Sequence, residues 1–192
     1  MKRCFYKLAS LLSPAKDYSH FTMRDDVATL IKPGGIGIEL GVAEGKFSER
    51  ILKKSQLAYL YSVDMYDGER CHDIDQFRRA ITRLMPYRER NCLLKMRFDE
   101  ALPLFEDGYF DFIYADGYAH TGEEEGQTFS DWYPKLKSGG IFAGDDYSPS
   151  WPKVVEEVDK FIARHGLKLH VIDCHEPDDW ASQFPTWFTF KP

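Results

Sequence analysis

A glycine-rich stretch near the N-terminus constrains the fold of this chain more than any other feature. It reads Gly-Gly-Ile-Gly-Ile-Glu-Leu-Gly-Val-Ala-Glu-Gly over residues 34–45. Ile36, Ile38 and Leu40 predict a short buried strand, and the spacing of apolar residues after Gly45 predicts a helix with one buried face. A doubly wound α/β sheet holds its cofactor where such a strand runs through a glycine loop into a helix.

The spacing of the glycines indicates the kind of cofactor. A dinucleotide fold places G-x-G-x-x-G at the strand-to-helix turn, but here Gly35 and Gly37 enter the strand and position 40 is leucine. What remains is E-x-G-x-x-x-G, in which Glu39 ends the strand while Gly41 and Gly45 let the backbone approach a ligand. A carboxylate at this position would repel a pyrophosphate but suits the ammonium and sulfonium groups of S-adenosylmethionine (SAM).

Composition limits the classes of partner. The 192 residues, 43% hydrophobic and 29% charged, fit one globular domain of ordinary size. The net charge of -6 and the scattered lysines and arginines argue against nucleic acid as the main partner. Four cysteines without C-x-x-C spacing predict reduced thiols in a cytoplasm. No apolar window reaches the length of a bilayer span, so we expect no membrane partner.

The N-terminal segment predicts a separate element. We expect residues 1–32 to form a helical cap and residues 33–192 to form the catalytic domain. In the cap, Phe5, Leu8 and Leu11 fall at helical spacing. This segment would cover either the cofactor or a partner subunit, and the second alternative leaves a homodimer open.

Further β-rich runs predict the rest of the sheet, over residues 57–63, 92–96, 110–115, 141–144, 167–172 and 187–190. Asp64, with Met65 beside it, ends the first of them, where one carboxylate can accept both hydroxyl protons of a ribose. A dinucleotide-binding protein holds its ribose in the same way. Asp64 therefore predicts that a nucleoside binds here, but it does not indicate which cofactor contains that nucleoside. After the run 92–96, Phe98 offers a ring to stack on adenine and Asp99 a carboxylate for the edge of the base.

A short cluster of potential metal ligands, Cys71-His72-Asp73, precedes an amphipathic run. We interpret Asp73 as the N-cap of a helix and His72 as a structural residue.

Three carboxylates are predicted to meet at one edge of the sheet, because Asp116 ends the run 110–115 while Asp145 and Asp146 end the run 141–144. Ligands of open α/β sheets bind at that edge. The three would repel one another without a cation, and Mg²⁺ accepts ligands that are all oxygens. Such an ion would also lower the pKa of a substrate hydroxyl. In the alternative, Asp145 and Asp146 cap the following loop and Asp116 contacts the cofactor directly.

These residues also resemble a known family. Asp116-Gly-Tyr-Ala-His120, the stretch 131–140 and Gly144-Asp-Asp-Tyr147 are similar to class I SAM-dependent methyltransferases, and among them to the metal-dependent small-molecule O-methyltransferases of macrolide and aminocoumarin sugars (macrocin-type). The likeness covers about residues 34–171. It implies that Asp116, Asp145 and Asp146 are metal ligands and that an acid or histidine after Asp116 is the base.

His120 is the candidate for that base. Between Asp116 and Lys135 it is the only side chain with an ordinary pKa near neutrality. The alternative roles are orientation of the substrate and a solvated loop histidine.

The sequence therefore predicts an α/β fold: a single Rossmann-like class I methyltransferase domain with a mostly parallel seven-stranded sheet and an antiparallel last strand. The predicted function is SAM-dependent, Mg²⁺-assisted O-methylation of a hydroxyl on a small molecule, such as a sugar or natural product. Two alternatives stay open, an NAD(P)-dependent oxidoreductase and a non-catalytic SAM-binding protein.

Overall fold

A mixed sheet organises the chain in the computed structural model, which describes residues 17–68, 72–117, 124–174 and 184–192. Its strands are β1 (Ile36–Leu40), β2 (Tyr59–Asp64), β3 (Asn91–Lys95), β4 (Phe110–Ala115), β5 (Leu136–Gly144), β6 (His170–Ile172) and β7 (Thr186–Phe190). Their order is β3-β2-β1-β4-β5-β7-β6. The strands β1 to β5 pair in parallel, and β7 runs antiparallel to β5 and β6. The predicted seven-stranded architecture is confirmed.

Helices connect the strands and cover the sheet. They are α1 (Lys46–Lys54), α2 (Ile74–Leu84), α3 (Phe98–Ala101), α4 (Gln127–Trp132) and α5 (Pro152–His165), and a 3₁₀ helix (Arg24–Leu30) precedes β1. Asp73 caps α2 as predicted, because its side chain accepts the backbone N–H of Gln76 at 2.8 Å. None of the helices in the described part of the chain is long and apolar enough to cross a membrane.

Two apolar clusters cover the two faces of the sheet. Side chains alternate between faces along a strand. In β4, Ile113 and Ala115 accordingly belong to one cluster and Phe112 and Tyr114 to the other. Burial on both faces explains why these strands have nearly continuous apolar sequences and why the sequence located them.

Two strands have different limits from those predicted. Strand β5 begins at Leu136, before the predicted 141–144, because Leu136 pairs with Phe110 ahead of an irregularity in the β4–β5 register. Strand β6 begins only at His170, because the residues before it complete the end of α5. There the N–H of Leu167 donates to the carbonyl of Ile162 at 3.0 Å, across Gly166 in the left-handed conformation.

The segment before β1 forms a short 3₁₀ helix over Arg24–Leu30. Ion pairs bind it to the basic face of α1. Asp25 pairs with Arg50 and Lys54, and Asp26 pairs with Lys54 at 2.5 Å. This docking fixes the position of the first residue of the 3₁₀ helix, Arg24. The predicted helix through Phe5 and Leu11 lies outside the described residues, and the boundary at residue 33 stays a prediction.

Candidate active site

The carboxyl ends of the parallel strands open into a cavity of about 1080 Å³. Nine of the predicted site residues line it: Glu39, Gly41, Asp64, Met65, Phe98, Asp99, Asp116, Asp145 and Asp146. A single small-molecule site typically occupies about 300–1,000 Å³. This cavity therefore has room for a cofactor and part of a second molecule.

Gly41 lies where the loop after β1 crosses the end of β4. Its φ is +98°, and a Cβ added there would lie 1.6 Å from the carbonyl oxygen of Asp116. The N–H of Gly41 donates to the carbonyl of Val63 at 2.9 Å, which fixes the same crossing to β2. Glycine is required here because two backbones are in contact.

Gly45 has a packing role in the structure. It caps α1 with a φ of 74° and is not among the residues that line the cavity. A Cβ at Gly45 would lie 3.2 Å from the side chain of Leu84, so this glycine also allows α2 to pack closely. A contact between Gly45 and the cofactor stays a prediction.

Asp64 holds the glycine loop in place. Its Oδ2 accepts the N–H groups of Val42 and Ala43, both at 2.9 Å, and lies 3.3 Å from Nδ1 of His72. The side chain is almost fully buried. Burial opposes ionisation, but the nearby imidazole of His72 and the hydrogen bonds from the two amides outweigh it and lower the pKa of Asp64. Among the described residues, its Oδ1 has one long contact, 3.5 Å from the N–H of Tyr66, which leaves acceptor capacity for a ribose hydroxyl.

His72 is a site residue that sequence reasoning missed. It lines the cavity beside Asp64, and this nearby carboxylate raises the pKa of the imidazole. The sequence had no signal for this contact, which depends on a turn in which the N–H of Gly68 donates to the carbonyl of His72 at 2.8 Å.

Glu39 lies at the end of β1 with 1% of its surface exposed. It accepts a hydrogen bond from the hydroxyl of Ser48, and burial raises its pKa to about 8. A cationic ligand beside Glu39 would therefore favour the ionised carboxylate.

Phe98, the ring predicted to stack on adenine, lines the cavity. Asp99, predicted to contact the edge of the base, lies at the solvent-exposed rim of the cavity. A Cβ on Gly117 would lie 2.4 Å from the Phe98 ring, so this ring packs against bare backbone. The Asp99 carboxylate is exposed and accepts a 2.9 Å hydrogen bond from Nε of Arg97.

Arg24 lies between two of the three clustered carboxylates. Its guanidinium bonds the Asp116 carboxylate and lies 3.1 Å from Oδ2 of Asp145. It also stacks on Phe47, with 3.8 Å from Cζ to the ring centroid. Its side chain is 3% exposed. Burial opposes the charge, but Asp145, Tyr114 and Asp116 outweigh it and raise the pKa of Arg24.

The expected magnesium ion does not fit this arrangement. Arg24 already supplies the positive charge for Asp116 and Asp145, and the second oxygen of Asp145 accepts the hydroxyl of Thr186 at 3.0 Å. Among residues 17–68, 72–117, 124–174 and 184–192, no group of three His, Cys, Asp or Glu side chains is arranged to hold a metal ion. Nothing in the sequence indicates that Arg24 pairs with these carboxylates, because Arg24 precedes Asp116 by 92 residues.

Asp146 is the third carboxylate and has a different environment. It is 8% exposed, lines the cavity and has a φ of 62°. Its side chain makes no hydrogen bond or ion pair with the part of the chain that the structure describes. Burial, with the nearby charges of Asp145 and Asp116, raises its pKa to about 8. His120, the predicted base, lies outside the described residues.

Comparison with known proteins gives the family. A family model described as a methyltransferase domain matches residues 38–147, more than half of the chain. The match begins in β1 and ends just after Asp146, so it includes the glycine loop and the clustered carboxylates. No curated protein sequence is significantly similar to the chain.

Solved structures share the fold at low identity. The precorrin-6y C5,15-methyltransferase of Geobacter metallireducens has a TM-score of 0.64 at 13% identity, over 88% of this chain and 87% of that one. A SAM-dependent O-methyltransferase of Thermotoga maritima also gives 0.64, at 16% identity over 88% and 64% of the two chains. An rRNA methylase of Streptococcus thermophilus gives 0.62, at 15% identity over 88% and 93%. With the family match, these findings establish that the chain belongs to the class I SAM-dependent methyltransferases.

Proposed function

We propose that this methyltransferase transfers the methyl group of SAM to a hydroxyl of a small molecule, such as a sugar or natural product. The observation that carries the proposal is the acidic lining of the cavity. Its described lining contains ten carboxylates against four lysines and arginines, and two of the four, Arg24 and Arg97, pair with lining carboxylates.

The charge of the cavity favours a small molecule over RNA. The structural neighbours include an rRNA methylase and a tRNA methyltransferase, so an RNA substrate is the main competing proposal. Binding of RNA requires lysines and arginines along the phosphate backbone. A net charge of -6 and an acid-lined cavity are unfavourable for such a partner.

The family's cofactor also fits these residues. SAM supplies a methyl group activated on a sulfonium. In the proposal, Asp64 accepts the ribose hydroxyls, Glu39 and Asp116 face the positive charges, and Phe98 packs on the base. The chain contributes mainly alignment of the attacking oxygen with the methyl group.

The transfer is a single displacement. A carbon–oxygen bond forms as the carbon–sulfur bond breaks, and sulfur leaves as a neutral thioether. The acceptor hydroxyl loses its proton to His120, the predicted base, in this proposal. Magnesium has no part in it, because Arg24 occupies the carboxylates that would bind the ion. A cytoplasmic location stays part of the proposal.

The test is a substrate screen. The protein is incubated with SAM and either a panel of hydroxylated small molecules or total rRNA and tRNA, and S-adenosylhomocysteine is quantified. We expect product with small hydroxylated acceptors and none with RNA. Product with RNA alone would contradict the proposal, as would SAM binding without turnover across the whole panel.

A further inference from the structure

We propose that Asp146, together with the aromatic side chains of Trp151 and Phe184, forms an acceptor subsite for a compound that carries a protonated amine beside its reactive hydroxyl group. This inference rests on the proposed function and names a narrower substrate class for the same cavity.

Asp146 is the first step of the argument. It is one of three clustered carboxylates, but the ion pairs of Arg24 with this cluster are to Asp116 and Asp145. Asp146 therefore remains buried against the cavity without a hydrogen bond or ion pair to the described residues. A buried carboxylate without a partner is costly unless a ligand supplies one. An ammonium group donates charge-assisted hydrogen bonds of the required kind.

Aromatic rings form the adjacent wall. Trp151 and Phe184 line the cavity, with their ring centroids 5.9 Å apart in an edge-to-face arrangement. Trp132, the last residue of α4, is almost fully buried and also lines the cavity. Aromatic faces attract cations and also pack on the apolar part of a ligand. The wall therefore suits an organic amine better than a hydrated inorganic ion.

The charges around this wall have one sign. Glu124 and Asp131 line the same part of the cavity, on the turn before α4 and on α4 itself. From Gly117 onward, the described lining contains no lysine or arginine. An acceptor with a positive charge is therefore favoured over neutral or anionic relatives.

Binding of three matched phenols tests the subsite. Tyramine carries an amine, 4-ethylphenol is its neutral counterpart, and 3-(4-hydroxyphenyl)propionate carries a carboxylate. Each is titrated by calorimetry into protein saturated with S-adenosylhomocysteine. We expect tyramine to bind about tenfold more tightly than 4-ethylphenol, and the propionate most weakly.

Two variants connect the preference to Asp146. Asp146→Asn removes the charge and tolerates the left-handed conformation. Asp146→Gly suits that conformation still better and serves as a second variant. Both should abolish the preference for tyramine. The control is Asp75→Asn, which removes one exposed acid of α2 that does not line the cavity, and it should keep the preference.

The outcomes separate the two proposals. Prior titration of each protein with S-adenosylhomocysteine tests the cofactor site, and failure of the wild type there would contradict the proposed function. If S-adenosylhomocysteine binds but tyramine does not bind at millimolar concentration, or binds no more tightly than 4-ethylphenol, the subsite proposal is wrong. It is also wrong if the preference survives in both Asp146 variants.

Discussion

Two buried acids at the same edge of the sheet have opposite environments. Asp64 accepts two backbone N–H groups and contacts His72, and its pKa is lowered. Asp146 has no partner among the described residues, and burial raises its pKa to about 8. A carboxylate whose bonds are made within the chain organises the site before a ligand arrives. One without such bonds is available to the ligand, so we assign the cofactor to the Asp64 side and the acceptor to the Asp146 side.

Arg24 lies between these two sides, and its substitution should cause the largest loss of stability. Arg24→Met leaves the buried Asp145 and the partly exposed Asp116 without their cation, so we expect a loss of about 3–5 kcal/mol in the free energy of unfolding. Chemical denaturation measures it. The matched control is Arg78→Met, whose exposed ion pair with Asp75 should contribute at most about 1 kcal/mol. Equal losses in the two variants would show that Arg24 is not the cation of the site.

Gly41→Ala should cause the next largest loss of stability, and this loss should be accompanied by weaker binding of the cofactor on the Asp64 side. The new Cβ would meet the Asp116 carbonyl at 1.6 Å with φ at +98°, so we expect a loss of at least about 2 kcal/mol of stability. SAM affinity should fall with it. Gly34→Ala is the control, because it has a positive φ of 77° but open space around the added Cβ. A Gly41 variant no worse than the Gly34 variant would contradict the assigned contact.

The contribution of His72 to the pH dependence of stability should be smaller. Asp64 raises the pKa of His72, so the pair is fully charged below the ordinary histidine value of about 6.5 and is lost as pH rises through the raised value. The free energy of unfolding should therefore fall more steeply above about pH 6.5 in the wild type than in His72→Gln, by less than about 1 kcal/mol, because His72 is partly exposed to solvent. The raised pKa values of Glu39, Asp145 and Asp146 add a decline in the same range, but it is common to both proteins and cancels in the comparison. Equal pH slopes in the two proteins would contradict this role of His72.

Chelation of divalent metal ions should not change the rate of turnover. With Arg24 bonded to Asp116 and Asp145, turnover in excess EDTA should equal turnover in Mg²⁺. An initial-rate assay measures it. A loss of activity in EDTA that Mg²⁺ restores would mean that the three carboxylates bind metal after Arg24 moves away.

The strands and the acidic edge were predictable because they depend on local patterns. The limits of β4 were predicted to the residue, and the acids followed from their positions at strand ends. The environments of those acids were not predictable. Arg24 reaches Asp116 because an acidic 3₁₀ helix docks on the basic face of α1. This docking is a tertiary contact between residues such as Asp25 and Arg50, which periodicity does not encode.

Calorimetric titration of SAM into the wild type, Asp64→Asn and Asp146→Asn, all in EDTA, tests the division of the cavity most directly. We predict binding of one SAM per wild-type chain. The Asp64 variant should bind at least about tenfold more weakly, because it loses a charged hydrogen-bond acceptor, while the Asp146 variant should stay within about twofold of the wild type. Equal weakening in both variants, or weakening in Asp146→Asn alone, would contradict the assignment of the cofactor to the Asp64 side.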